Sequence, residues 1–125
     1  MILNRALGLF AAANGLMAVA LGAFAAHGAG PAVKTLLTTG AHYQGLHAAL
    51  AVAVALAAGG RRTFVIAGWL AAAGGLVFSL ALALIAFTGA TAFGAVAPVG
   101  GVLMLLGWAV LALGFFQSSL AHTAA

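Results

Sequence analysis

FVIAGWLAAAGGLVFSLALALIAF, residues 64–87, contains no charged side chain and a single hydroxyl, Ser79. A bilayer core about 30 Å thick needs roughly 20 apolar residues per helical crossing, at about 1.5 Å of rise per residue. This stretch is long enough to cross. Working outward, comparable runs occupy residues 6–26, 41–58 and 95–116. The first is interrupted only by Asn14, and the second is polar in its first turns. The expected fold is therefore all-α: an integral membrane four-helix bundle forming one transmembrane domain over residues 1–125.

The composition agrees. Of 125 residues, 66% are hydrophobic and 3% charged, and the mean hydropathy is +1.29. Soluble domains carry about 25% charged residues, so this chain cannot clothe a globule in solvated surface. A secretory signal is the competing reading of the first run, because Asn4 and Arg5 precede it and Ala23-Phe24-Ala25 resembles a cleavage site. The run exceeds the roughly 7–15 apolar residues of such signals, so it is read as a span.

The chain has no Asp, no Glu and no Cys. That excludes paired-carboxylate acid/base chemistry, a Ser-His-Asp triad, carboxylate cages for hard cations, thiolate metal sites and a carboxylate proton relay. Neither a metal nor a cofactor is expected. The isoelectric point of about 11.7 reflects missing acids, not a basic patch, so nucleic acid is not an expected partner. The cations serve orientation. Arg5 precedes the first run, Arg61 and Arg62 separate the second from the third, and Lys34 alone lies between the first and second. The positive-inside rule then places both termini and the Arg61-Arg62 turn in the cytoplasm of a bacterial-type inner membrane.

Between the first two runs, Pro31 suits the first turn of a helix. Val33, Leu36 and Leu37 fall on one face of it. A short helix lying in the interface is expected there, ending before the second span. Glycines recur every seven residues at Gly8, Gly15 and Gly22, at Gly68 and Gly75, and at Gly100, Gly107 and Gly114. Seven residues are about two turns, so each set is a narrow stripe on which helices can approach closely.

The polar residues form the candidate site. At about 100° per residue, Tyr43, Gln44 and His47 share one sector, while His42 points away from His47. If residue 41 opens the second span on the outer side, that sector lies in the outer leaflet. His27, Thr88 and Thr91, near other span ends, would lie at the same level. Two functions follow. The favoured one is a non-catalytic accessory or scaffold subunit that works by helix packing, within a larger membrane complex or a homo-oligomer. The alternative is a small transporter, channel or lipid- or small-molecule-binding protein using the outer polar cluster.

The ordered set Gly22-Ala23-Phe24-Ala25-Ala26-His27-Gly28, Tyr43-Gln44-Gly45-Leu46-His47, Phe78-Ser79, Thr88-Gly89, Ala97-Pro98-Val99-Gly100-Gly101 and Gly107-Trp108 resembles the YgdD-like family of small inner-membrane proteins, a family of unknown function. The resemblance covers nearly the whole chain. It implies four membrane helices and supplies no activity. The family pattern has Gly at the position of Ala25 and Gly-Ser-Leu-Tyr where this chain reads Leu80-Ala81-Leu82-Ala83, so the third span here is the less polar.

Overall fold

The computed structural model describes residues 3–125. Its elements are helices α1 (Arg5–His27), α2 (Pro31–Ala57), α3 (Arg62–Thr88) and α4 (Ala97–Ala124), with a short 3₁₀ turn at Thr91–Ala95 before α4. Among the described residues there is no strand. Among the described residues three helices, α1, α3 and α4 with its leading turn, are long and apolar enough to cross a membrane.

Each boundary has a local cause. The Asn4 side chain accepts from the Leu7 N–H at 3.0 Å, satisfying a first-turn donor of α1. The Asn4 backbone N–H donates to the Ala55 carbonyl at 3.0 Å, tying the start of α1 to the end of α2. Gly59 and Gly60, at φ +57° and +82°, turn the chain into α3. Gly89 ends α3 at φ +70°, a left-handed cap that a Cβ would strain. Pro98 lies in the first turn of α4, where a missing N–H costs nothing.

The stretch expected as a separate interfacial helix is instead the first part of α2, which runs unbroken through Gly40. The reason is packing. Leu37, Gly40, Ala41 and Gln44 form one continuous buried face, and Gly40 sits against the backbone of Ser79 on α3. The Thr35 and Thr39 hydroxyls donate to the Pro31 and Thr35 carbonyls, so they spend their polarity inside the helix. The fourth helix starts at Ala97, slightly later than the expected span, and continues to Ala124, well past residue 116.

The helices pack in a chain-ordered series. α3 is central, with long seams to α2 and α4; α1 packs on α2 and touches α3 lightly; among the described residues neither α1 with α4 nor α2 with α4 forms a packed seam. The α3–α4 seam is backbone against backbone. A Cβ on Gly74 would meet the Met104 nitrogen at 2.7 Å and the Gly100 carbonyl at 2.8 Å. A Cβ on Gly107 would lie 3.0 Å from the Ala71 nitrogen. In lipid, where apolar surfaces gain nothing by leaving water, such contact is what holds helices together. Gly68 and Gly114 are filled against by the side chains of Leu7 and Phe64, and Gly75 faces the Gln44 backbone. Gly8 and Gly22 are in ordinary contact range of Ala55 and Ala41, whereas a Cβ on Gly15 would meet nothing within 4 Å.

Candidate functional site

The interior has three levels. One apolar cluster joins Leu7, Ala11, Ala51, Val54, Ala55, Ala58, Phe64 and Ala72; another, at the opposite end, joins Ala25, Leu37 and Ala83. Between them lie the buried polar residues Asn14, Gln44, His47 and Ser79. Burial away from water makes each polar group seek a partner.

Two small networks result. Gln44 Nε2 donates to Asn14 Oδ1 at 2.9 Å, and Asn14 Nδ2 donates to the Phe10 carbonyl at 3.0 Å. This joins α1 to α2. The second network centres on His47. Trp108 Nε1 lies 3.0 Å from His47 Nε2, and His47 Nδ1 lies 2.7 Å from the Tyr43 carbonyl. An indole N–H can only donate, so Nε2 accepts; Nδ1 therefore carries the proton and donates to Tyr43. The imidazole is the neutral Nδ1–H tautomer with both nitrogens engaged. Neither is left free to act as a base or a metal ligand. Among the described residues two buried atoms have no partner, Gln44 Oε1 and Ser79 Oγ.

The His47–Trp108 bond spans a cleft whose walls are α2 and α4 and whose floor is α3. On one side of the bond is a cavity of about 650 Å³, lined among others by Thr39, Tyr43, Leu46, Phe78 and Leu105. On the other, a crevice of about 240 Å³ continues between Leu50, Val54, Ala57, Leu111 and Phe115. Tyr43 packs edge-on against Phe78 with ring centroids 5.3 Å apart. It is 44% exposed, so its ring walls the larger cavity.

Of the six candidate residues, the structure buries Gln44 and His47 and brings Tyr43 beside His47. His27, Thr88 and Thr91 are exposed. Thr88 donates to its own helix at the Leu84 carbonyl and accepts from the Ala90 N–H. The continuity of α2 explains the separation. With α2 starting at Pro31, Gln44 lies about 20 Å along the helix, far from the end where His27 sits. His42 is exposed, edge-on to Tyr43 at 5.8 Å. Among the described residues no three His side chains gather into a metal-binding group. Sequence reasoning missed Trp108 as the partner of His47. The available signal was depth: α2 and α4 run the same way, and both residues fall near mid-helix.

Residues 21–101 match the profile of a family described as "Protein of unknown function (DUF423)". Full-length relatives agree. A UPF0382 membrane protein of Haemophilus influenzae is 39% identical over 114 residues, covering 86% of this chain and 90% of that protein. The UPF0382 inner membrane protein YgdD of Escherichia coli K12 is 36% identical over 120 residues, covering 89% of each. The UPF0382 membrane protein YwdK of Bacillus subtilis is 34% identical over 110 residues, covering 82% of this chain and 89% of that protein. No solved structure is significantly similar to the chain.

Proposed function

The chain belongs to the DUF423 (UPF0382) family of membrane proteins of unknown function, and from that premise we propose that it is a non-catalytic accessory subunit acting through lateral helix contacts. The observation that carries this reading is the engagement of both His47 nitrogens with Trp108 and the Tyr43 carbonyl. In a chain without side-chain carboxylates or thiols, His47 is the buried residue best suited to chemistry, and it is occupied structurally. The connections are also short: residues 28–30, 58–61 and 89–96. They leave the sides of the helices as the surface through which the protein can act.

In this reading all four helices cross an inner membrane, with both termini on the cytoplasmic side. α2 is the least apolar, yet it is sandwiched between α1 and α3, so Gln44 and His47 face protein rather than lipid. Partners are a larger membrane complex or further copies of the chain. Purification in mild detergent with prior crosslinking tests the proposal. A defined complex or homo-oligomer is expected; a monomer with no crosslinked neighbour would refute it.

One observation favours a second reading, that of a lipid- or small-molecule-binding protein. The cavity of about 650 Å³ is bordered by Tyr43 and Thr39, and the Tyr43 hydroxyl has no hydrogen-bond partner among the described residues. Filling the cavity from the α2 side with Thr39→Trp would displace a bound molecule under this reading and leave complex formation unchanged under the first.

A further inference from the structure

The end of the molecule where α2 turns into α3 gathers several side-chain donors. A concavity of about 270 Å³ there is lined by Arg61, Arg62, Thr63, Phe64, Gln117 and Ser118, together with small residues of α4. Arg61 is held in place by three contacts. Its Nε donates to the Ala58 carbonyl at 3.1 Å, its Nη1 lies 3.5 Å from Ser118 Oγ, and its guanidinium sits 4.5 Å above the Phe64 ring. Among the described residues the remaining N–H groups of that fork have no partner. Gln117 Oε1 already accepts from Thr63 Oγ1 at 2.9 Å, which leaves the Gln117 amide N–H groups as donors. Arg62 is exposed beside them. No side-chain carboxylate exists anywhere in the chain to neutralise these groups.

A guanidinium fork held by its neighbours matches two oxygens of a phosphate. A free phosphate would need only this concavity. A second feature points to a lipid. The crevice of about 240 Å³ between α2 and α4 shares Arg61 and Phe64 with the concavity. It is otherwise apolar, running past Leu111, Ala57 and Leu50 toward the centre of the bundle. Phe64 therefore stands between a compartment with several donors and an apolar one, and Arg61 borders both.

We propose that this end of the protein is a binding site for an anionic phospholipid, with its phosphodiester on Arg61, Arg62 and the Gln117 amide and one acyl chain in the α2–α4 crevice. The site is independent of the accessory reading, since it uses neither the polar layer nor the outer faces of α1 and α4. Basic pockets between membrane helices bind such headgroups, and each arginine near the surface contributes several-fold in affinity.

The test is lipid retention by the full chain in nanodiscs of phosphatidylglycerol and phosphatidylcholine mixed equally, read by native mass spectrometry after transfer to detergent. Selective retention of phosphatidylglycerol is expected. Arg61→Gln with Arg62→Gln is expected to reduce it on the order of tenfold. Leu111→Trp, which fills the crevice and keeps every donor, is expected to reduce it as well. Thermal unfolding of each variant separates loss of the site from loss of the fold, and Leu111→Trp tests the site without removing charge. Equal retention of the two lipids, or undiminished retention in both variants, would overturn the proposal. Full displacement by millimolar inorganic phosphate with no effect of Leu111→Trp would overturn the lipid in favour of a free anion.

Discussion

Asn14 and Gln44 close one hydrogen-bonded pair across α1 and α2, and His47 and Trp108 close another across α2 and α4. Such bonds in a membrane interior are worth about 0.6–1.7 kcal/mol each, because the separated helices also find partners. Asn14→Ala strips Gln44 of its one partner and is expected to destabilise by about 1 kcal/mol, measured by unfolding in mixed micelles. Asn14→Ala combined with Gln44→Met removes both polar groups and is expected to recover most of that loss, since an orphaned buried amide costs more than an absent one. If the double variant were the less stable of the two, the pair would have a role beyond mutual satisfaction. Trp108→Phe leaves His47 Nε2 without its donor and is expected to cost about 1 kcal/mol in the same assay.

At the scale of elements, the α3–α4 seam is decided by glycine. A Cβ on Gly100 would collide with the backbone of Phe78, while one on its neighbour Gly101 would meet nothing within 4 Å. Gly100→Ala is expected to cost about 1–3 kcal/mol by overpacking, and Gly101→Ala to stay within about 0.5 kcal/mol of the native chain. Equal effects would mean that the seam is not the close contact described. Gly100, Gly107 and Gly114 share one seven-residue period, and one period generates one stripe. Gly40 and Gly74 lie outside any such period, and their roles depend on which helix faces them. Residues 31–39 were legible as helical from Pro31 and the spacing of Val33, Leu36 and Leu37. Their continuity with residues 41–57 was not, because it rests on the close packing of Gly40 against Ser79 of α3, which no local pattern shows.

For the whole molecule, the length of the apolar runs together with a composition of 3% charged residues made the helical membrane class legible. The chain-ordered packing was not legible. It follows from backbone seams and leaves α2 lined on both sides by neighbours. If all four helices cross, positions 29 and 91 lie on one side of the membrane and positions 59 and 119 on the other. The chain has no native cysteine, so single cysteines at Ala29, Gly59, Thr91 and Ser119 can be labelled with an impermeant maleimide in intact cells. Labelling at Ala29 and Thr91 only is expected; labelling of Gly59 together with Ala29 would place α2 on the membrane rather than across it.

The central claim is that the protein works through its sides. The outward faces of α1 and α4 carry Leu16, 74% exposed, and Leu105, 70% exposed. The most direct measurement places a photo-crosslinking amino acid at each position and irradiates native membranes. A discrete protein adduct is expected from at least one face, of constant mass between preparations, that disappears when a tryptophan is placed one turn away on the same face. Adducts to lipid alone from both positions, with the protein otherwise monomeric, would contradict it.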